Sequence, residues 1–107
     1  GIDTVNNNGS WIKQSDGSMI CRQRINVTVP INTAYAGGYK STDLTWTYPK
    51  SFVGVPTIIA TSLDNACASI KVSNPTSSSA TLFGFAAQSF ASAGVVIDVT
   101  AIGRHLT

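Results

Sequence analysis

Acidic residues, which most hydrolytic sites need, are few in this chain and lie far apart. The 107-residue sequence has five carboxylate side chains, all of them aspartates. They are Asp3, Asp16, Asp43, Asp64 and Asp98. Glycoside hydrolysis normally needs two carboxylates that face each other across a cleft. Turn chemistry explains Asp16, and Asp98 is expected to pair with Arg104 or a neighbouring subunit, so we predict no catalytic pair.

Nucleophilic catalysis and metal binding also lack the residues that they require. A serine triad needs a histidine base, and the single histidine is His105, near the C-terminal end. A structural zinc site needs four ligands, whereas the chain has one histidine and two cysteines, Cys21 and Cys67. We therefore predict no catalytic residue, no metal and no cofactor. The cysteines fit either a disulfide or two buried free thiols, because free cysteine packs as a small hydrophobe.

Two groups of side chains have the composition of a saccharide-binding surface. Such surfaces combine aromatic faces with a few amide, carboxylate or basic groups. The first group is Tyr35, Tyr39 and Lys40, around Gly37-Gly38. The second group is Asp64, Asn65, Lys71, Gln88 and Phe90, provided that the fold brings their loops to one end. Packing is the alternative explanation for each tyrosine, and turn formation is the alternative for Asp64-Asn65.

The bulk composition limits the partners of the chain. Its length fits one domain, and 43% of its residues are hydrophobic while only 11% are charged. A surface with so little charge is kept in solution by hydroxyls and amides or is covered by a partner. The net charge of +2 comes without a basic run, so we expect no nucleic-acid partner. No apolar stretch is long enough to span a bilayer, so we expect no membrane insertion.

Short strands are the elements that must position these residues. The chain has no glutamate and few other strong helix formers, while Val, Ile, Thr, Phe and Trp recur between Gly, Asn, Pro and Ser clusters. The predicted strands cover residues 11–13, 19–29, 43–48, 55–61, 69–73, 80–86 and 95–102. Asp16-Gly17 predicts a hairpin turn, Pro30 is expected to end its strand, and loops are expected over residues 31–41 and 87–94. About six to seven strands with short connections predict a small antiparallel β-sandwich.

Three sequence phrases follow one another along the chain. They are Gly-Ser-Trp-Ile-Lys-x-x-Asp-Gly-Ser-x-Ile-Cys at residues 9–21, Trp-Thr-Tyr-Pro-Lys-Ser-Phe-Val-Gly-Val-Pro-Thr at residues 46–57 and Val-Thr-Ala-Ile-Gly-Arg at residues 99–104. Taken with their order and spacing, these phrases resemble the C-terminal domain of phage and prophage tail fibres and tailspikes. The chain departs from this pattern at His105, where an aromatic residue commonly follows.

The layout is also similar to that of the H-type lectin domain, a small β-sandwich that assembles as a trimer and binds sugars. The shared part is the aromatic-Pro-x-x-Phe-x-x-x-Pro segment, here Tyr48 to Pro56, followed by two strands, a loop and a final strand. In this resemblance the loop before the last strand offers Gln88, Ser89 and Phe90, and Lys71 is the nearest basic residue on the preceding strand. The resemblance implies an H-type-lectin-like sandwich and a homotrimer.

Together the resemblances imply a receptor-binding tip at the distal end of a virion tail fibre or spike, made in the host bacterial cytoplasm. Residues 1–9 would be a linker from an upstream fibre region, and residues 10–107 the C-terminal β-sandwich domain. Its expected ligand is a host surface glycan such as lipopolysaccharide or capsule, bound without catalysis. A purely structural role, as a trimerisation cap on a fibrous stalk, is the alternative.

Overall fold

The fold consists of strands throughout its regular part, as the sequence predicts. A computed structural model describes the backbone of residues 4–6 and 8–106, with side chains from residue 8 onward. Within these residues there are nine strands and no helix. The strands are β1 (Thr4–Asn6), β2 (Gly9–Lys13), β3 (Ser18–Tyr35), β4 (Gly38–Ser41), β5 (Leu44–Thr47), β6 (Thr57–Ser62), β7 (Ser69–Ser73), β8 (Ser79–Ala86) and β9 (Phe90–Arg104).

All strand pairs are antiparallel, and they form two layers that share the long strand β3. The first sheet has the order β1-β2-β3-β9-β6. The second sheet is built on β8, which pairs with β4 and β5 along one edge and with β7 along the other. The C-terminal part of β3 pairs with β4 and thereby joins the second sheet to the first. The all-β sandwich fold is thus confirmed, with nine described strands where about six to seven were expected.

The core lies between the two layers and follows the alternation of each strand. In β9 every second residue is fully buried: Val95, Ile97, Val99 and Ala101. Met19 and Cys21 of β3 are equally buried on the same side. The second sheet adds Trp46, whose indole N–H donates to the carbonyl of Asn8 over 3.1 Å. Side chains at alternate positions of both sheets therefore fill one continuous core.

Pro30 does not end its strand, which corrects one sequence-based expectation. In the register of β3 and β9, Val29 lies opposite Ala93 and Ile31 lies opposite Phe90. Two residues of β9 therefore face Pro30 alone, which is the arrangement of a β-bulge. Because proline has no N–H to donate, a bulge is a position where a strand tolerates it. Beyond Pro30, β3 crosses from the first sheet into the second.

The two predicted loops are consequently shorter than expected. Residues 31–41 form the end of β3, a two-residue turn and all of β4, so this segment is a hairpin and not a loop. The expected loop over residues 87–94 shrinks to 87–89, because β9 begins at Phe90. Of the predicted linker, residues 4–6 form β1, while residues 1–3 and 7 lie outside the described part of the chain.

Both cysteines are free thiols, which settles the alternative that the sequence left open. Cys21 is fully buried in β3, and its thiol donates to the Lys50 carbonyl over 3.6 Å. Burial, slightly offset by this bond, raises the pKa of Cys21 to about 11. Burial and the nearby Asp64 carboxylate raise the pKa of Cys67 to about 11 as well. Both residues thus behave as small hydrophobic core residues with unreactive thiols.

Candidate functional site

Strand β8 separates a core-facing side from an outward side that carries two phenylalanines. Its inward side chains are buried, and they are Ala80, Leu82 and Ala86. Phe83 and Phe85 alternate with them and therefore point outward. Residues directly opposite each other in an antiparallel pair share a face. Lys71 lies opposite Phe83 across β7, and Lys40 lies opposite Phe85 across β4, so both lysines are on the outward side.

The ring of Tyr35 completes this surface. We call it the aromatic face, and it consists of Tyr35, Lys40, Lys71, Phe83 and Phe85. The Tyr35 ring meets the Phe83 ring edge-on, with centroids 5.2 Å apart, and the Phe85 ring with centroids 6.2 Å apart. Tyr35 is 39% exposed, whereas Phe83 is 5% exposed. The two phenylalanines thus hold the tyrosine in place and leave part of its ring open to solvent.

The ammonium group of Lys40 lies over the same rings. Its Nζ is 4.8 Å from the centroid of Phe83 and 5.7 Å from that of Tyr35, distances that suit cation–π attraction. Lys40 Nζ also lies 4.0 Å from Oδ1 of Asp43. An exposed ion pair at this separation contributes little free energy. The rings, more than the carboxylate, therefore hold the ammonium over the aromatic face.

A tight hairpin turn presents Tyr35 at the end of β3. The two turn residues, Ala36 and Gly37, have φ angles of 49° and 82°, as a type I′ turn requires. The next residue, Gly38, has no room for a side chain, because a Cβ there would lie 2.7 Å from the Phe85 ring. Around this turn, residues 34–39 line an open depression of about 450 Å³. Glycine at position 38 thus lets the hairpin lie directly against Phe85.

Tyr39, which the sequence grouped with Tyr35 and Lys40, lies on the opposite side of the hairpin. It pairs with Ala34 in β3 and with the buried Ala86 in β8. Its half-buried side chain packs against the core. The structure therefore joins Tyr35 and Lys40 on one surface and gives Tyr39 a packing position.

Asp64, from the second predicted group, is held by four hydrogen bonds from its own protein. Its Oδ1 accepts from the backbone N–H groups of Ala66 over 2.9 Å and Cys67 over 2.7 Å. Its Oδ2 accepts from the N–H of Val96 over 2.9 Å and the hydroxyl of Ser62 over 3.1 Å. Burial alone would raise the pKa of Asp64, but these bonds outweigh it and hold the pKa below the usual value. The carboxylate closes the loop after β6 and fastens it to β9.

The second group does not form a single cluster. Phe90 lies opposite Ile31 at the start of β9 and packs against the core, while Gln88 is exposed in the preceding turn. Asp64 accepts a hydrogen bond from Val96. At the usual rise per residue, Val96 lies about 20 Å further along β9 than Phe90. Asn65 is exposed beside Asp64. Of this group, only Lys71 lies on the aromatic face.

Sequence reasoning missed Phe83 and Phe85, which support the aromatic face. The run Leu82-Phe83-Gly84-Phe85 is apolar at every position, so it reads as a strand buried on both sides. The lysines opposite the two phenylalanines would have revealed the outward side, but pairing them requires the register of β4, β7 and β8.

The C-terminal end of the described chain is tied to the β2–β3 hairpin. His105 donates its backbone N–H to the carbonyl of Gly17 over 2.8 Å, and its ring Nε2 lies 2.9 Å from the carbonyl oxygen of Gln14. Arg104 donates to the carbonyl of Asp16 over 3.3 Å, so of the two partners expected for Asp98, Arg104 or a neighbouring subunit, Arg104 is used elsewhere. His105 thus has a structural role here. Within residues 8–106, no cluster of histidine, cysteine and acidic side chains is arranged to hold a metal ion.

A second surface, on the outward side of the first sheet, is aliphatic. Ile12, Ile20 and Ile102 lie side by side across β2, β3 and β9. Ile59 of β6 adds to them and is 55% exposed, while Ile102 is 42% exposed. We call these four residues the apolar face.

The described part of the chain contains no helix with the length and hydropathy needed to cross a membrane.

The fold is similar to part of one solved protein structure. No protein-family model matches the chain, and no curated protein does. Among solved structures, the crystal structure of the tailspike protein gp49 from Pseudomonas phage LKA1 is similar, with a TM-score of 0.60 and 17% sequence identity. The similarity covers 81% of this chain but only 15% of the tailspike chain. The chain therefore has the fold of a small part of a phage tailspike protein.

Proposed function

We propose that this chain is a virion tail domain that binds a glycan of the host bacterial surface without cleaving it. The observation that carries the proposal is the exposed ring of Tyr35, fixed edge-on against Phe83 and Phe85. A rigid aromatic ring offers a sugar an apolar surface at a small cost in conformational entropy. The fold shared with part of a tailspike supports a place in the tail. Residues 10–107 would be the binding unit, at the distal end of a fibre or spike, with residues 1–9 leading into it.

Binding without cleavage agrees with the state of the acidic residues. Asp64 uses both carboxylate oxygens to hold its own loop and β9. Asp43 lies beside Lys40, while the other described aspartates lie in the β2–β3 turn, in the loop after β6 and in β9. A single flat face would bind a saccharide weakly. Three copies in a homotrimer would raise the apparent affinity through multivalency.

The test compares two substitutions at Tyr35 in the intact chain. Tyr35→Ala removes the ring and is expected to reduce retention on immobilised lipopolysaccharide and capsule panels by roughly tenfold or more. Tyr35→Phe keeps the ring and is expected to bind as the wild type does. Chromatography of the recovered glycan is expected to show no shortening. Wild-type binding by a correctly folded Tyr35→Ala variant would contradict this site, and glycan shortening would contradict the non-catalytic role.

The apolar face favours a second candidate function, a trimerisation cap on a fibrous stalk. Exposed aliphatic side chains on a flat sheet gain free energy when another copy of the chain covers them. Ile59→Lys would place a charge in that contact and is expected to shift the species in light scattering from three times 11.2 kDa toward 11.2 kDa. Thr45→Lys, on the outward side of the second sheet, is the matched control and is expected to leave the assembly unchanged. A wild-type monomer would contradict this candidate.

A further inference from the structure

Two lysines lie on the strands at opposite edges of β8, and both are on the side of the sheet that carries Phe83. Lys71 lies directly opposite Phe83 on β7 and is exposed. Lys40 starts from β4, on the other edge of β8, and its Nζ reaches to 4.8 Å from the centre of the Phe83 ring. The Lys40 side chain therefore leans toward the side of the face that carries Lys71. Lys40 and Lys71 thus belong to the two strands that flank β8, on the same side of the sheet as Phe83.

The described surroundings of these lysines contain little negative charge. Asp43 is the acidic residue beside Lys40, at 4.0 Å, and its side chain is 59% exposed. Several other outward residues in register with the aromatic face carry hydroxyl groups, among them Thr33, Thr45, Ser69, Ser73 and Thr81. On a chain with only 11% charged residues, the face thus combines an excess of positive charge with uncharged hydrogen-bonding groups.

On the basis of the proposed function, we propose that the ligand of the aromatic face is an acidic saccharide. The carboxylate or phosphate of one sugar unit would lie between Lys40 and Lys71, and a neighbouring sugar ring would stack on Tyr35. An ammonium group has three donors, and in Lys40 the long contact with Asp43 leaves most of this capacity available to an anion. A neutral saccharide would accept hydrogen bonds from the ammonium groups but would lack the charge–charge attraction, so the face favours acidic glycans.

Removing the charge of Asp43 is expected to strengthen ligand binding, whereas removing a lysine charge is expected to weaken it. Its carboxylate competes with an acidic ligand for the Lys40 ammonium and repels the ligand's own charge. Asp43→Asn removes both effects and leaves the shape of the site almost unchanged. Binding of an acidic saccharide is therefore expected to become stronger in this variant, by roughly two- to fivefold.

The experiment titrates the intact chain with matched acidic and neutral probes, followed by amide chemical shifts. Trigalacturonic acid and its methyl ester share one sugar backbone and differ in charge and in the ester methyl groups, and a phosphomannan oligosaccharide and its dephosphorylated form provide the corresponding comparison for phosphate. The acidic member of at least one pair is expected to bind about tenfold more tightly, with shifts on β4, β7 and β8. Which pair responds distinguishes a carboxylate ligand from a phosphate ligand. Raising the ionic strength from about 50 to about 300 mM is expected to weaken this binding.

Substitutions that remove one lysine charge test whether the acidic probe binds at the aromatic face. Lys40→Gln and Lys71→Gln are each expected to weaken binding of the acidic probe by roughly three- to tenfold. Lys13→Gln removes the same charge from β2 of the first sheet and serves as the matched control, with unchanged affinity expected. An equal loss in the Lys13 variant would show unspecific attraction and would overturn the proposal.

The outcomes separate this inference from the function on which it rests. Equal binding of acidic and neutral probes, lost in Tyr35→Ala but unaffected in the lysine variants, would overturn the acidic specificity and keep the glycan-binding face. Absence of binding by every probe, together with unchanged retention of Tyr35→Ala on bacterial glycan panels, would overturn both.

Discussion

At the scale of single residues, the Asp64 carboxylate connects two separate stretches of backbone, the β6–β7 connection and β9. It accepts hydrogen bonds within its own loop and from Val96 in β9, where the N–H of Leu63 donates in return to the Val96 carbonyl over 2.8 Å. Hydrogen bonds to a charged acceptor are stronger than neutral ones. This one side chain therefore fixes the position of the β6–β7 connection against the first sheet.

We predict that Asp64→Asn destabilises the protein by about 1–3 kcal/mol at neutral pH, because an amide cannot accept all of these bonds. Urea denaturation followed by circular dichroism measures the change. Asp43→Asn is the matched control, since its carboxylate makes one long and exposed ion pair, and its stability is expected to stay within about 0.5 kcal/mol of the wild type. Similar stabilities for the two variants would contradict the assigned role of Asp64.

The same residue predicts how stability depends on pH. Hydrogen bonding lowers the pKa of Asp64 in the folded state below its ordinary value of 3.8. The stabilisation is thus complete above the unfolded pKa and is lost as the pH falls through the folded pKa. The difference in unfolding free energy between wild type and Asp64→Asn is expected to shrink as the pH is lowered from 7 to about 3. A difference in unfolding free energy that stays constant over this pH range would contradict the contribution assigned to the Asp64 carboxylate.

At the scale of elements, the β3–β4 hairpin determines how Tyr35 is displayed. Its turn residues, Ala36 and Gly37, both have positive φ, which is costly for alanine and easy for glycine. The pairing of Tyr35 with Gly38 fixes the register of the hairpin. The stability of this turn therefore determines how rigidly the exposed ring is held.

Two substitutions in this turn are expected to have opposite effects. Ala36→Asn suits a type I′ turn better and is predicted to raise stability by up to about 1 kcal/mol. Gly37→Ala is predicted to lower it by about 1 kcal/mol through backbone strain alone, because a Cβ there would meet nothing within 4 Å. Thermal unfolding measures both changes. Shifts of the same sign would argue against a type I′ turn.

How much of these elements the sequence reveals depends on the range of the interactions. Strand β7 was predicted with its observed bounds, because Ser69–Ser73 alternates locally between core and solvent. The extension of β3 beyond Pro30 escaped prediction, since it depends on a bulge in the distant strand β9. Prediction of the candidate site was limited by the same dependence on distant strand pairing. Tyr35, Lys40 and Lys71 were identified by type, but only the pairing around β8 shows that they share one face.

At the scale of the whole molecule, β3 makes the two sheets depend on each other. Its first part pairs with β2 and β9 in the first sheet, and its last residues pair with β4 in the second. Neither sheet can lose this strand without exposing the core that both of them cover. The sandwich should therefore unfold as a single cooperative unit.

Two single-tryptophan variants test this cooperativity. Trp11→Phe leaves the buried Trp46 to report on the second sheet, and Trp46→Phe leaves Trp11 to report on the first. In each variant, fluorescence and circular dichroism are expected to give the same urea midpoint. Trp46→Phe is expected to have the lower midpoint of the two, since it loses a buried indole. Midpoints that differ between the two signals within one variant would show that the sheets unfold separately.

The alternation along β8 has a consequence for how such a domain diversifies. Thr33, Thr45 and Ser69 border the aromatic face on regular, exposed strand positions, while the residues behind them keep the core packed. Substitutions there would change the chemistry offered to a ligand at little cost to folding, because strands accept many side chains on a solvent side. If the aromatic face binds as proposed, a few point mutations at these positions would change its ligand. The same positions form a natural starting set for a randomised display library built on this backbone.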